Sequence, residues 1–336
     1  MTKRPTLQDV ADAVGLSPAT VSYALRGQRG SAETRARVQA AAEALGYQVD
    51  PIARALANGR SGTLAVLCGS TRDTWHRALA TDLVRALIAR DRRALLTDAD
   101  GDADRERALL DLLAEQRADG LLVAALDPFA PHWEEVARST PLVAIGDRLA
   151  EAPSASAVVF DNAAGFALVV DHLAALGHRR LLVLLPERPS TPDRPAETSV
   201  REAARARGLT VELLRVPPAG ADPDAPIERV AAALVRTGAT AVFCLSDGYA
   251  FDVLRAARRS GLRVPDDLSV VGFEDVEEAD LVGPGLTTVS WDHEQVVETA
   301  VTMLLDALDH HTGPSVAVIA PRLVVRGTTS RPPAAR

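Results

Sequence analysis

From Thr63 onward, continuous apolar strands alternate with amphipathic helices along the chain. Segments such as TLAVLC, RALLT and RRLLVLL lack a polar face, and helical patterns separate them. Strands that are apolar on both faces belong to parallel sheets, which helices cover on both sides. The sequence therefore predicts an α/β body of two doubly wound lobes. We predict its helices over residues 75–90, 105–117, 163–176, 198–207, 226–236 and 294–308.

The loops after these strands are candidate binding sites, because ligands of doubly wound sheets bind at the carboxyl ends of the strands. Loops from both lobes are expected to face each other across a cleft. We expect a small molecule to contact side chains of these loops: Trp75, Asp161, Arg194, Ser246, Asp247, Glu274 and Asp275.

A different pattern occupies residues 6–25, where two short helices are predicted with only three or four residues between them. Thr6 can cap the first helix, and Gly15 can end it in a left-handed conformation. Ser17 and Pro18 provide an N-cap and a first residue for the second helix. A third helix over residues 33–45 closes a small core with one face: Val38, Ala41, Ala42 and Leu45. The pattern predicts an all-α helix-turn-helix headpiece, although a helical hairpin inside a larger core has similar features.

A helix-turn-helix lays its second helix in the major groove of DNA, so residues near the start of that helix face base edges. We predict base contacts from Pro18, Ala19 and Tyr23. The hydroxyl groups of the same segment suit phosphate oxygens, and they belong to Ser17, Thr20 and Ser22.

After the headpiece, Asp50-Pro51 and Asn58-Gly59 bound a segment of about eight residues that is too short to be a stable helix alone. Its bulky residues, Ile52 and Leu56, lie four apart on one face and are flanked by Arg54 and Arg60, like the apolar wedge beside arginines that opens a base step in the minor groove. We predict minor-groove contacts from Leu56, Ala53 and Arg54. The alternative is a plain linker helix that packs Leu56 on the body.

The charge of the chain is unevenly divided. The formal net charge is -8, but residues 1–60 hold eight basic and five acidic side chains, a net +3. A basic head on an acidic body is typical of a protein that meets a polyanion at one end, although so small a surplus also arises by chance. The only lysine is Lys3, which excludes a P-loop, a Schiff-base lysine and an S-x-x-K hydrolase.

Other motifs give no sign of an enzyme, a metal or a cofactor. Cys68 and Cys244 each end an apolar run, as buried free thiols do. The DADGDAD segment lacks the glycine and glutamate that an EF-hand requires, so we interpret it as a capping loop. The sequence has no apolar run of membrane-spanning length and no signal peptide, and we therefore expect a cytoplasmic protein.

The chain resembles the LacI family of bacterial transcription regulators. Three segments carry the resemblance: TLQDVADAVGLSPATVSYALRG, SAETRARVQAAAEALGYQVDPIARALANGRSGTLAV and GLRVPDDLSVVGFEDVEEADLVGPGLTTV. The resemblance implies a dimer on a near-palindromic operator and a hinge helix whose leucine, here Leu56, enters the central minor-groove step. It also implies a periplasmic-binding-protein-like sensor, in which an effector in the cleft controls the hinge helices.

The sensor departs from the family pattern at several cleft positions. Ala196, Ser199 and Val200 occupy the positions where sugar-binding members carry Arg, Gly and an aromatic residue, and Arg194 lies two positions early. Trp291 replaces a residue that is more often polar. A simple hexose effector is therefore not expected. Either another small molecule stacks on Trp291 or Trp75, or side chains partly close the lobes and regulation takes another route.

We expect a repressor in three parts. A helix-turn-helix domain covers residues 1–49, a hinge helix and linker cover 50–61, and the effector-binding and dimerisation domain covers 62–336. In that domain, lobe 1 comprises about 62–160 with 291–319, and lobe 2 comprises about 161–290 with 320–330. The chain ends without a leucine heptad, which favours a homodimer over a tetramer. A sugar- or nucleoside-binding protein without a regulatory role is the alternative, and an enzyme comes third.

Overall fold

The computed structural model describes residues 5–25, 30–47, 61–187, 193–217 and 225–334. The chain divides into two compact units, Met1–Ser61 and Gly62–Arg336, and each is described by itself. The three hinge residues named above, Ala53, Arg54 and Leu56, lie outside the described residues.

The first unit is a bundle of three helices, α1 (Leu7–Val14), α2 (Pro18–Leu25) and α3 (Ala32–Leu45). Thr6 caps α1: its hydroxyl accepts from the Asp9 amide, and the Asp9 carboxylate accepts from the Thr6 amide at 2.7 Å. Gly15 follows with φ of 66°, a conformation that costs a residue without a Cβ little. The tight turn between α1 and α2 therefore has the caps that the sequence predicted.

The core of this unit is made of small side chains. Its fully buried members are Val10, Ala11, Val21, Ala24, Val38 and Ala42. Small residues let short helices approach closely, so the core holds together with little apolar volume. The prediction that Leu45 joins this core is wrong, because Leu45 is 40% exposed and Tyr47, after the turn at Gly46, packs there instead.

Lobe 1 of the second unit is a six-stranded sheet in the order β11-β5-β4-β3-β1-β2, with every neighbouring pair parallel. Its strands are β1 (Thr63–Cys68), β2 (Arg93–Asp98), β3 (Gly120–Ala124), β4 (Leu142–Gly146), β5 (Ser156–Phe160) and β11 (Val316–Ile319). Its helices are α4 (Thr74–Ile88), α5 (Ala103–Glu115), α6 (His132–Ser139) and α12 (His293–Asp309). All five residues of β3 are buried, as expected for a strand covered on both faces.

Lobe 2 is a four-stranded parallel sheet in the order β7-β6-β8-β9. Its strands are β6 (Arg180–Pro186), β7 (Thr210–Val216), β8 (Ala241–Cys244) and β9 (Ser269–Val271). Its helices are α7 (Asn162–Leu176), α8 (Asp193–Ala206), α9 (Ala225–Thr237), α10 (Asp247–Arg259) and the single turn α11 (Glu278–Leu281). The predicted fold class, an all-α helix-turn-helix headpiece and an α/β domain of two doubly wound lobes, is confirmed.

The chain passes between the lobes three times. It leaves lobe 1 after β5, returns through β10 (Thr288–Ser290) into α12, and leaves again from β11 to β12 (Arg322–Val324). The strands β10 and β12 pair antiparallel, so two of the crossings are joined by backbone hydrogen bonds. Residues at these crossings lie where the two lobes meet.

Among the helices of the described ranges, none has the length and apolar content needed to cross a bilayer.

Candidate nucleic-acid interface and interlobe site

The second helix of the head divides its residues between core and surface. Val21 and Ala24 are buried, whereas Ala19 and Thr20 are exposed and Tyr23 is 37% exposed. Pro18 and Ser22 are half-buried at the border of the same surface. The structure thus places the three predicted base-reading residues, Pro18, Ala19 and Tyr23, on one helix, with Pro18 and Ala19 at its start and Tyr23 about one turn later.

Hydroxyl groups mark the start of this helix. The Ser17 and Thr20 hydroxyl oxygens lie 2.8 Å apart, and the Thr20 amide donates to the Ser17 hydroxyl at 3.2 Å. Ser17 therefore caps α2 while both hydroxyls stay exposed. A helix N-terminus with exposed hydroxyls favours anions such as phosphate groups.

A side chain of α3 fixes the other end of α1. The Arg37 guanidinium donates to the Val14 carbonyl at 3.0 Å. Because Val14 is the last residue of α1, this bond satisfies one of the carbonyl groups that a helix leaves unpaired at its C-terminus. The turn that sets the direction of α2 is thereby held from both sides.

In the body, two predicted cleft residues begin helices at strand ends. The Asp161 carboxylate accepts from the Ala164 amide at 3.0 Å, at the start of α7. The Ser246 hydroxyl accepts from the Tyr249 amide at 3.3 Å, at the start of α10. Both side chains lie at carboxyl ends of parallel strands, as predicted, and both cap the next helix.

Asp247 is wholly buried rather than open to a cleft, with 0% of its surface exposed. One carboxylate oxygen accepts from the Thr288 hydroxyl at 2.6 Å, and the other accepts from the Val276 amide at 2.9 Å. Burial raises the pKa of Asp247 to about 6, against the opposing effect of the Thr288 hydrogen bond. Asp247 was expected to contact a ligand. In this structure its carboxylate instead links α10 to the crossing strand β10.

Asp275, another predicted cleft residue, is engaged with basic side chains near the crossings. Arg326 donates to its carboxylate at 2.8 Å, and Arg322 lies 3.8 Å from it. The neighbouring Glu274 donates its backbone amide to the Val289 carbonyl at 2.8 Å. These contacts attach the loop after β9 to the crossing strands.

The two tryptophans that were predicted to face a ligand lie inside the protein. Trp75 is 7% exposed and Trp291 is 3% exposed. Phe160 contacts both: its ring centroid is 5.5 Å from that of Trp75 and 5.0 Å from that of Trp291. In this structure Phe160 and the two tryptophans pack against one another at the junction of the lobes.

Arg194 lies within α8, and its side chain is outside the described part of the structure. Sequence reasoning missed Phe160, Phe273 and Thr288, which all lie at the junction of the lobes. The signal for Phe160 was available, since it is the last residue of the apolar segment AVVF before the first crossing.

The metal-like and thiol motifs have ordinary structural roles. Asp102 of the DADGDAD segment accepts from the amides of Asp104 and Arg105 and caps α5. Both cysteines are buried and free, and burial raises the pKa of the Cys68 thiol to about 12. Within the described ranges, no group of three or more His, Cys, Asp and Glu side chains is placed to hold a metal ion.

Two family models match separate parts of the chain. The model of bacterial regulatory proteins of the lacI family matches residues 6–50, which include the helix-turn-helix. The model of the periplasmic binding protein-like domain matches residues 170–329. The two matches fall on the head and on the body.

Curated relatives match over nearly the full length. The HTH-type transcriptional regulator MalR of Streptomyces coelicolor is 33% identical, with 98% of each chain covered. The HTH-type transcriptional repressor PurR of Escherichia fergusonii is 29% identical, also with 98% of each chain covered. These relatives are transcriptional regulators and not enzymes.

A solved structure supports the fold. The lac repressor dimer bound to operator and the anti-inducer ONPF matches with a TM-score of 0.83 and 24% identity, covering 98% of this chain and 100% of that chain. At this identity the likeness concerns the fold alone.

Proposed function

The chain belongs to the LacI family of bacterial regulatory proteins, and from this membership we propose how its parts bind DNA and respond to a ligand. It is a DNA-binding transcriptional regulator with a small-molecule sensor. The observation that carries the proposal is the exposed face of α2, where Ala19, Thr20 and Tyr23 lie outside the core of the head. In a helix-turn-helix this surface is the one that enters the major groove.

We propose that residues 1–49 bind DNA, that 50–61 form the hinge and that 62–336 form the sensor. Pro18, Ala19 and Tyr23 read bases, and Ser17, Thr20 and Ser22 hold phosphates. The positions of these residues at the N-cap and along the first six residues of α2 support the assignment.

The protein acts as a homodimer and a repressor on a near-palindromic operator, and it works in the cytoplasm, where a chromosomal operator lies. Lobe 1 supports self-association because it exposes apolar side chains on α4, β2 and α5: Ile88 by 59%, Leu96 by 41% and Leu112 by 41%. Exposed apolar side chains are available for an interface, and a two-fold dimer matches a palindrome.

The experiment that tests the function is selection of genomic fragments by the purified protein at two salt concentrations. We expect one palindromic sequence whose affinity falls steeply with salt, because the head neutralises phosphates. A folded dimer that recovers no preferred sequence, with and without metabolite extract, would contradict sequence reading by the head. Recovery only with the extract would identify a corepressor.

Tyr23→Ala is expected to relax base preference at one operator position per half-site. The loss against the preferred base is about 1–3 kcal/mol, the usual value of one specific side-chain contact. The change in base preference is measured as the affinity of the variant for four operators that differ only in the base at that position. Tyr23→Phe is the matched control, since it keeps the ring and removes only the hydroxyl. An equal loss for every operator sequence would assign Tyr23 to phosphate contact.

Leu56→Ala is expected to weaken operator binding about tenfold or more and to reduce DNA bending, because the wedge that opens the base step is truncated. Gel mobility with circularly permuted operator fragments measures both quantities. Ala57→Ser is the control at a neighbouring position with no assigned contact. Unchanged affinity and bend angle in Leu56→Ala would remove the wedge from the mechanism.

A further inference from the structure

The aromatic side chains of the body concentrate where the two lobes meet. The chain has only 3 Trp and 6 Phe, yet six of these rings are connected by ring contacts, with Phe166 and Phe243 packed on Phe273. The other four follow one another in series at the junction: Trp75, Phe160, Trp291 and Phe273. We call this series the aromatic column. Phe160 and Trp291 stack with their planes 11° apart, whereas the planes of Trp291 and Phe273 are 72° apart.

The rings of the aromatic column come from both lobes and from a crossing segment. Trp75 lies in α4 and Phe160 ends β5, both in lobe 1. Phe273 follows β9 of lobe 2, and Trp291 follows the crossing strand β10. The stacked contact between Phe160 and Trp291 therefore joins lobe 1 to a crossing segment, at the strand ends where a doubly wound fold binds ligands.

The Trp291 ring packs tightly against lobe 2. A Cβ added to Gly165 of α7 would lie 3.2 Å from the Trp291 ring and 3.1 Å from the Phe273 ring. The indole is 3% exposed, so it has no room to turn toward solvent. Phe160 is the half-buried member of the pair. Of the two stacked rings, Phe160 is therefore the more exposed one.

The polar groups around the aromatic column are largely committed to the fold. Asp247 is wholly buried between the Thr288 hydroxyl and the Val276 amide. The Asp275 carboxylate is paired with Arg326. A ligand with many hydroxyl groups needs several polar partners, whereas a flat ring needs an aromatic face. Among the described side chains, the carboxylates of Asp247 and Asp275 are thus already hydrogen-bonded within the protein, whereas the aromatic column supplies ring faces.

We propose that the interlobe site of this chain takes a small ligand with a planar aromatic ring, which stacks on the face of Trp291 that Phe160 now covers. The proposal rests on the sensor role given above and names the class of molecule sensed. Phe160 is then an internal occupant of the site that a ligand must displace. Since Phe160 directly precedes the first crossing between the lobes, its displacement changes the contact that holds lobe 1 to the crossing segment.

The test uses the full-length protein carrying Trp133→Phe, so that the two remaining indoles belong to the aromatic column. Trp133 is buried in lobe 1 and contacts none of the column rings in the described structure. The probes are one- and two-ring aromatic acids, amides and heterocycles such as benzoate, nicotinamide and adenine. Cyclohexanecarboxylate, D-glucose and D-ribose serve as probes without an aromatic ring. Each is added at about 5 mM, which detects millimolar dissociation constants.

We expect at least one aromatic probe to change tryptophan emission saturably and to raise the melting temperature, while the probes without an aromatic ring do neither. Saturable binding of a sugar would overturn the proposal. So would the failure of every aromatic probe to bind. Operator binding is measured separately. If the protein binds the operator but no aromatic probe, only the proposal of an aromatic ligand is contradicted. If it binds an aromatic probe but no operator, the proposed regulator function is contradicted.

Substitutions at Phe160 and Trp291 test whether Phe160 occupies the ligand's position or contacts the bound ligand. Phe160→Leu, and Phe160→Ala where it folds, should tighten binding of the aromatic probe several-fold because the competing ring is gone. Trp291→Leu should weaken it at least tenfold. Circular dichroism checks that each variant is folded. Weaker binding in both Phe160 variants would mean that Phe160 contacts the ligand and would overturn the displacement.

Discussion

Replacing Asp247 by alanine should lower the free energy of unfolding by about 2–4 kcal/mol near pH 7.5. The substitution leaves the Thr288 hydroxyl and the Val276 amide buried without their acceptor, and each unsatisfied donor costs about 1–3 kcal/mol. Relief of the buried carboxylate offsets part of this loss. Denaturant unfolding, followed by far-UV circular dichroism, measures the difference.

Thr288→Val and Asp247→Asn are the matched variants for this prediction. Thr288→Val removes one donor and keeps the carboxylate, so its loss should be smaller than that of Asp247→Ala. Asp247→Asn keeps the shape: its side-chain oxygen can accept from the Val276 amide and its NH2 group can donate to the Thr288 hydroxyl oxygen, so its loss should be smaller than that of Asp247→Ala. A change below about 0.5 kcal/mol in Asp247→Ala, the range of ordinary surface substitutions, would mean that these bonds do not secure the crossing strand.

The same carboxylate gives the stability a defined pH dependence. Burial raises the pKa of Asp247 from 3.8 to about 6, so the folded chain binds the proton more tightly than the unfolded chain. Wild-type stability relative to Asp247→Asn should therefore increase as pH falls through about 6 towards 4. Asp275 is the charged neighbour that raises the pKa further. Unfolding of both proteins near pH 7.5 and near pH 5 measures the difference; a flat difference would contradict the raised pKa.

The strands were predictable from the sequence because burial on both faces leaves them apolar throughout. The segment TLAVLC became β1 with the bounds Thr63–Cys68, and the helix predicted over 163–176 is α7, Asn162–Leu176. Helices α6, α10 and α11 were not predicted. Helix α6 has Pro131 at its N-cap position and no side-chain cap, and α11 has only four residues. Helix α10 buries Asp252 on its apolar face, which interrupts the pattern.

The site was predictable in its location but not in the direction of its side chains. Asp247 follows a strand of lobe 2, as the sequence indicates, yet its carboxylate points to a threonine that lies 41 residues later in the sequence. No local pattern encodes such a contact, because it depends on how the crossing strand returns past α10. Trp291 was recognised as unusual, but its burial depends on Phe160 and Gly165, which belong to other elements. The hinge residues, including Leu56, remain a prediction.

Val21→Asp should unfold the head and reduce operator affinity at least 100-fold, while the thermal transition of the body stays unchanged. Val21 is 0% exposed, in a core whose fully buried members are only valines and alanines. A small domain of this kind rarely has more than about 3–5 kcal/mol of stability, and a buried carboxylate without a partner costs at least as much. Quantitative gel shift with the selected operator and calorimetry of the full chain measure the two effects.

Leu45→Asp is the matched control, since it adds the same charge to the same unit at a side chain that is 40% exposed. Its operator affinity should fall by less than about tenfold, the part due to repulsion between one carboxylate and the phosphates. Val21→Thr adds a buried hydroxyl of nearly the same shape and should give an intermediate loss. If Val21→Asp bound the operator as tightly as Leu45→Asp, DNA binding would not depend on the packing of α2 against α1 and α3. The proposal that the exposed face of α2 reads the DNA sequence would then be contradicted.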